Sequence, residues 1–186
     1  MRALPFLAVV LIGCSSDPMM MPPGTQTVDA AKSTVTLDKV QLVADNTESV
    51  RVTVSVRDAD DKPVRDAKVN VTISGTKNTP DQSNNTGDDG VTNANFSSEK
   101  AETKTLTISA ELNGTTTDLG TKSVTFVAGP AAAMRFKVQP TNTKAGVAMS
   151  AAVELEVTDG RGNPVGSDAT FMASVRLVRS NGGSVQ

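Results

Sequence analysis

The chain has 186 residues, a formal net charge of −2 and a pI near 5.2, so it lacks the basic excess that would neutralise nucleic-acid phosphates. Histidine is absent, which removes the usual general base and the commonest metal ligand. Cys14 is the only cysteine, so neither an internal disulfide nor a thiolate metal site can form. We therefore expect no enzyme, no cofactor, no metal, no small-molecule substrate and no nucleic-acid partner.

Residues 1–14 have the form of a signal peptide. Arg2 gives a short positive start, and a mainly apolar run follows over residues 3–12. The run is interrupted by Pro5 and is too short for a membrane-spanning helix, which needs about 20 residues. We interpret it as the apolar region of a secretory signal.

The end of this segment, Leu11-Ile12-Gly13-Cys14, resembles the lipobox of bacterial lipoproteins. The resemblance implies that Cys14 carries lipid at its sulfur and amino group and becomes the new N-terminus, so that the membrane is a partner. Several acyl chains on one residue anchor stably where one is marginal. Because Ser15 and not an aspartate follows, the same resemblance favours an outer membrane or the cell surface. The alternative is an ordinary secretory signal that contains a cysteine.

Residues 15–31 contain Pro18, Pro22, Pro23 and three consecutive methionines without periodicity. Proline stiffens the backbone and prevents strand pairing, so we expect a semi-extended tether.

A strict apolar/polar alternation begins at Val50, with valines at positions 50, 52, 54 and 56, and it ends in an aspartate-rich turn closed by Pro63. This period of two predicts a strand with one buried face. The ending recurs 101 residues later: Val56–Val64 and Val157–Val165 share Val, Asp, Pro and Val at the same spacing. The chain is thus predicted to be a tandem repeat of one β-module.

With 24 valines and 23 threonines against 3 isoleucines, the composition favours an all-β fold. We predict an antiparallel Greek-key Ig-like β-sandwich over residues 32–128. Its expected strands are a split first strand, Ser33–Asp38 with Val40–Val43, then Ser49–Asp58, Ala67–Ser74, Val91–Ser97, Thr103–Leu112 and Thr121–Val127. The polar loop 75–90 leaves room for one short edge strand.

Residues 129–186 form the predicted second module, with strands at Met134–Val138, Ala151–Thr158 and Ala169–Val178. About four strands of a sandwich are missing before Gln186, so this module is incomplete at its C-terminus. Our hypothesis is a truncated gene product or a fragment.

The aspartates of the first turn, Asp58, Asp60 and Asp61, invite comparison with calcium sites, as do Asp88 and Asp89. An EF-hand loop beginning at Asp58 needs glycine at its sixth position and a carboxylate at its twelfth, and this sequence has Pro63 and Val69 there. The repeated turn keeps only Asp159. We interpret both clusters as turn-forming residues, and whether they bind calcium stays open.

The segments Val52–Val64, Val69–Ile73 and Gly87–Thr92, together with Met134–Val138 and Val157–Val165, resemble bacterial Ig-like modules of the invasin and intimin type. Such modules serve as spacers, as adhesive tips or beside enzymes. The resemblance implies a non-catalytic, lipid-anchored envelope protein whose modules form a stalk or an adhesion module with a protein or glycan ligand. The alternative is a spacer of a larger surface enzyme or glycan-binding protein whose functional domain lies beyond Gln186.

Overall fold

The computed structural model describes residues 26–81, 84–144 and 146–166, and within them the chain contains strands and no helix. Ten strands follow in order: β1 Thr34–Leu37, β2 Gln41–Val43, β3 Val50–Ser55, β4 Lys68–Ile73, β5 Asn78–Asp81, β6 Val91–Ser98, β7 Thr103–Leu112, β8 Thr115–Val127, β9 Ala131–Val138 and β10 Glu154–Asp159. Cys14 and the predicted strand Ala169–Val178 lie outside the described residues. In the part of the chain that is described, no helix is long and apolar enough to cross a membrane.

Strands β1 to β8 form two facing four-stranded sheets, in the orders β1-β3-β6-β5 and β2-β8-β7-β4. The predicted Ig-like sandwich is therefore confirmed, and we call this unit the sandwich. The valines of β3 and the adjoining Val56 are fully buried, as the alternation predicts. They lie in one core with alternate residues of β7, namely Leu106, Ile108 and Ala110. Phe96 of β6 and Phe126 of β8 meet across the sheets at 5.9 Å between ring centroids, a distance typical of favourable tilted pairs.

The first strand is split, as predicted, because the chain leaves one sheet after Leu37 and joins the other at Gln41. The chain keeps its direction as it changes sheets, so β2 runs parallel to β8. The paired residues run from Gln41↔Thr125 to Val43↔Val127. Among the strand pairs described, this is the one departure from the predicted antiparallel pairing.

The last strand of the sandwich begins at Thr115, six residues before the predicted Thr121. Asn113 and Gly114 both have positive φ, 52° and 78°, which suits the tight turn of a two-residue hairpin. Strand β8 therefore pairs with β7 at once, and a register shift between Ile108 and Ser109 leaves Leu119 as the extra residue of β8. The polar stretch 115–120 carries no apolar alternation, which is why the sequence pattern missed it.

Strands β9 and β10 pair antiparallel and form a separate two-stranded sheet, which we call the ribbon. Strand β9 begins at Ala131, three residues before the prediction, and β10 spans Glu154–Asp159 where Ala151–Thr158 was predicted. Met134 and Phe136 pair with residues of β10 and are 45% and 41% exposed. In the described residues, the ribbon thus leaves apolar side chains uncovered.

Candidate functional site: a turn docked on the end of the sandwich

The first turn, Asp58–Pro63, is built by its own backbone and one carboxylate. The amide of Asp58 donates to the carbonyl of Lys62 at 3.0 Å, and the amide of Asp61 donates to the carbonyl of Asp58 at 3.0 Å. Oδ1 of Asp58 accepts from the amides of Asp60 and Lys62 at 3.0 and 2.9 Å. Within the described residues, the side chains from Asp58 to Lys62 bond only to this turn.

The second turn, Asp159–Pro164, repeats that geometry 101 residues later. The amide of Asp159 donates to the carbonyl of Asn163 at 2.9 Å, and the amide of Gly162 donates to the carbonyl of Asp159 at 3.1 Å. Oδ1 of Asp159 accepts from the amides of Arg161 and Asn163, both at 2.8 Å. The two turns therefore share one backbone conformation, including a positive φ at Asp61 (63°) and at Gly162 (82°).

The turns differ in what their side chains contact. Oδ2 of Asp159 accepts from the amide of Gly129, in the link between sandwich and ribbon, at 3.0 Å and from Nδ2 of Asn163 at 2.9 Å. Asp159 and Asn163 are only 4% and 1% exposed. Burial pushes the pKa of Asp159 upward, but hydrogen bonds from Asn163, Gly129 and Arg161 outweigh it and lower the pKa to about 2. The carboxylate is therefore ionised at neutral pH although it is buried.

Asn163 connects the second turn to the end of the sandwich. Its Nδ2 donates to the carbonyl of Glu99 at 2.9 Å as well as to Asp159, and its Oδ1 accepts from the amide of Ala101 at 2.9 Å. Both amide hydrogens and the amide oxygen are thus used. A buried amide whose hydrogen bonds are all formed fixes its two neighbours in one geometry, since any shift would leave a buried polar group unpaired.

Arg161 adds a charged contact beside Asn163. One of its guanidinium nitrogens pairs with the carboxylate of Glu99, and Nη2 donates to the carbonyl of Asp45 at 2.9 Å. We call the set formed by Asp45, Glu99, Ala101 and Gly129 the socket. It places a carboxylate, two carbonyls and two amides around the second turn.

The socket is held by local hydrogen bonds within the sandwich. The amide of Glu99 donates to the carbonyl of Lys77 at 3.1 Å, and the buried Oγ of Ser98 accepts from the amide of Lys100 at 3.1 Å. Oδ1 of Asp45 accepts from the amide of Thr47 at 2.7 Å, a bond that lowers the pKa of Asp45. These bonds fix the backbone groups that meet the second turn.

An ion pair with a buried lysine follows the socket residue Ala101 in the sequence. Lys104 is fully buried, and its Nζ donates to Oε1 of Glu102 at 2.7 Å and to the carbonyl of Thr76 at 3.0 Å. The hydrogen bond from Lys104, together with one from the amide of Thr76, lowers the pKa of Glu102. The pair neutralises a lysine in the core and fastens the loop that begins at Gly75.

The residues considered for calcium lie in turns. Asp60 pairs with Lys62, Asp88 pairs with Arg65 at 2.7 Å, and Oδ1 of Asp89 accepts from the amide of Val91 at 3.0 Å. Over the described ranges, no three acidic, His or Cys side chains are grouped so that they could hold a metal.

Sequence reasoning missed the second turn as a contact site. The repeated turn was noted only for keeping Asp159, and the residues that replace the acidic cluster, Gly160-Arg161-Gly162-Asn163, were assigned no contact. The available signal was the asparagine before Pro164, where the first copy has Lys62. Its partners Glu99 and Ala101 are 62 or more residues away and carry no periodic pattern.

Residues 32–127, more than half of the chain, match the family of bacterial Ig-like domains, group 1. The chain belongs to this family. No curated protein sequence matches it.

Solved structures of bacterial proteins are similar to the chain. FdeC, an Escherichia coli adhesin, is 26% identical with a TM-score of 0.54, over 86% of this chain and 50% of that one. Invasin, a bacterial integrin-binding protein, is 17% identical with a TM-score of 0.56, over 76% and 29%. InvD of Yersinia pseudotuberculosis is 18% identical with a TM-score of 0.53, over 75% and 44%. The last two likenesses show the fold alone. This chain spans half or less of each of these structures.

Proposed function

We propose that the protein is a non-enzymatic, lipid-anchored protein of the bacterial envelope whose Ig-like modules act as a stalk or an adhesion module. The observation that carries this is the docked second turn: Asn163 and Arg161 bond the ribbon to the end of the sandwich, and Asp159 bonds it to the link at Gly129. A link of three residues, Ala128-Gly129-Pro130, leaves little freedom between the two units. A stalk needs such fixed joints, because free hinges would not hold its tip away from the membrane.

The ribbon is the beginning of a second module in this proposal, covering residues 129–186. The second turn follows β10 as the first turn follows β3, and β9 pairs with β10 as β1 pairs with β3. Met134 and Phe136 then belong to an inner face that the rest of a sandwich would cover.

The anchor in this proposal is lipid on Cys14, and residues 15–31 form the tether between the bilayer and the sandwich. The protein then resides in the outer membrane or at the cell surface. Its partner there is a protein or a glycan, in keeping with the similarity to FdeC, described as an adhesin, and to invasin, described as integrin-binding.

The anchoring is tested by Cys14→Ser in a bacterium that processes lipoproteins, with Ser16→Ala as the matched control. The parent and the control stay in the membrane fraction and their intact mass includes acyl chains, whereas Cys14→Ser is released. Membrane retention of Cys14→Ser without acyl mass would refute the anchor.

The alternative function is a spacer of a larger surface enzyme or glycan-binding protein, with its functional domain beyond Gln186. It is favoured by the uncovered apolar side chains of the ribbon. Reading the gene past Gln186 decides between them. Further copies of the Val-x-Asp turn support the stalk, and a histidine-containing α/β segment supports the spacer.

A further inference from the structure

We propose that the socket is selective: it accepts a turn that carries arginine and asparagine at the positions of Arg161 and Asn163, and it rejects the first turn of the same chain. The inference deepens the proposed stalk function and rests on it, because it assigns how successive units recognise each other. The partner of the socket is thus defined chemically, as an Asp-x-Arg-x-Asn-Pro turn.

The backbone does not make the distinction. Every main-chain hydrogen bond of the second turn has its counterpart in the first, and Asp58 and Asp159 accept from equivalent amides through Oδ1. The two glycines of the second turn do not distinguish it from the first turn either, since a Cβ added to Gly160 or Gly162 would meet nothing within 4 Å. Selection must therefore come from the side chains at the remaining two positions.

The asparagine position is the more exacting of the two. Asn163 supplies an acceptor to the amide of Ala101 and a donor to the carbonyl of Glu99. The first turn has Lys62 there, and an ammonium group has donors but no acceptor. The amide of Ala101 would lose its acceptor, and a charge would be brought to a site where Asn163 is 1% exposed.

The arginine position adds electrostatic discrimination. Arg161 faces the carboxylate of Glu99 and the carbonyl of Asp45, both of which accept. The first turn has Asp60 at the equivalent position, so that two carboxylates would face each other and the carbonyl would lose its donor. Like charges in this arrangement repel, and this is a common means of rejecting a wrong partner.

The consequence is a fixed order of joining. A second copy of the protein cannot place its first turn in the socket of the first copy, so a head-to-tail contact through that turn is excluded. Open head-to-tail contacts of that kind generate filaments.

The test grafts the side chains of the first turn onto the second in the full-length chain: Arg161→Asp with Asn163→Lys. Spin labels are placed at the exposed positions Thr107 of β7 and Lys137 of β9, each changed to Cys in a Cys14→Ser background. The parent gives one narrow distance distribution. In the graft, we expect the fraction of molecules at that docked distance to fall about tenfold or more. This is the size of effect expected when a hydrogen-bond donor loses its partner at a buried site.

Three further variants separate recognition from misfolding. The reciprocal change in the first turn, Asp60→Arg with Lys62→Asn, leaves the distribution narrow, because that turn lies away from the socket. Arg161→Asp alone broadens the distribution, and adding Glu99→Arg narrows it again by restoring an opposite-charge pair.

A narrow distribution in the graft, or no recovery on adding Glu99→Arg, would overturn the proposal. Neither result bears on lipidation of Cys14, which is absent from the labelled protein, so a failure of the socket and a failure of the anchor remain distinguishable.

Discussion

The two turns of this chain share a backbone but not an environment. The first turn stands at the surface with Asp60, Asp61 and Lys62 exposed, and the second is inserted between the ribbon and the sandwich with Asn163 buried. The comparison separates two roles of one motif. An aspartate that accepts from backbone amides is enough to form the turn. The side chains carried at the other positions determine whether the turn also joins two units.

The largest effect is expected where the sandwich backbone touches the first turn. A Cβ added at Gly90 would lie 2.6 Å from the carbonyl oxygen of Val56 and 3.0 Å from Pro63, at a φ of 74°. Gly90→Ala should therefore destabilise the sandwich by about 3 kcal/mol, combining backbone strain and overpacking. Urea unfolding followed by circular dichroism measures the change.

The control for that substitution is Gly114→Ala, which also has a positive φ, 78°, but meets nothing within 4 Å. It should cost only the conformational strain, about 1 kcal/mol. Equal losses in the two variants would mean that the contact between Gly90 and the first turn is unimportant.

The next effect distinguishes the two aspartates. Asp159→Ala removes the acceptor of Gly129 and a partner of Asn163 in addition to the acceptor within the turn, whereas Asp58→Ala removes only the latter. We expect a loss of about 2 to 3 kcal/mol in docking for Asp159→Ala and a loss of about 1 kcal/mol in turn stability for Asp58→Ala. Amide hydrogen exchange at Gly129 and Ala101 reports docking, and it should accelerate only in Asp159→Ala. Acceleration at these amides in Asp58→Ala would contradict the separation of the two turns.

Acid provides a reversible version of the same experiment. The pKa of Asp159 is lowered from 3.8 to about 2, so its stabilising contribution is fully present above about pH 4 and is lost as the pH falls toward 2. The amides of Gly129 and Ala101 should stay protected at pH 4 relative to a reference peptide and lose protection near pH 2. An NMR titration of the Asp159 carboxyl with a midpoint at 3.8 or above would show that the carboxylate is not held as described.

The smallest effect is expected for the charge pair. Arg161 and Glu99 are partly exposed, with side chains 44% and 32% accessible, and such pairs contribute about 0.5 to 1 kcal/mol. Glu99→Gln should weaken the free energy of docking by that amount. Raising the salt concentration should have a similar, modest effect on docking in the parent protein. The Glu99 carbonyl that accepts from Asn163 is unchanged by this substitution. A larger loss than for Asp159→Ala would show that charge, and not the buried amide, holds the joint.

Local patterns predicted most of the sandwich and little of the site. The alternation of β3 and the Asp-to-Pro spacing of the first turn were sufficient to predict that strand and that turn, since both depend on residues close in sequence. Strand β8 was placed too late because Thr115–Gly120 is polar and its pairing depends on the hairpin at Asn113 and Gly114. Docking of the second turn could not be predicted, because Asn163 meets residues of a distant loop. Lipidation of Cys14 stays a prediction.

The most direct test of the joint is solution NMR on the intact chain, with nuclear Overhauser effects measured from the side-chain amide protons of Asn163. The structure predicts strong effects to the Glu99–Ala101 segment, together with slowed exchange of the Asn163 side-chain amide and of the Ala101 backbone amide. The side chain of Lys62 should give no comparable effects to that segment. Absence of the Asn163 effects, with fast exchange at Ala101, would contradict the account.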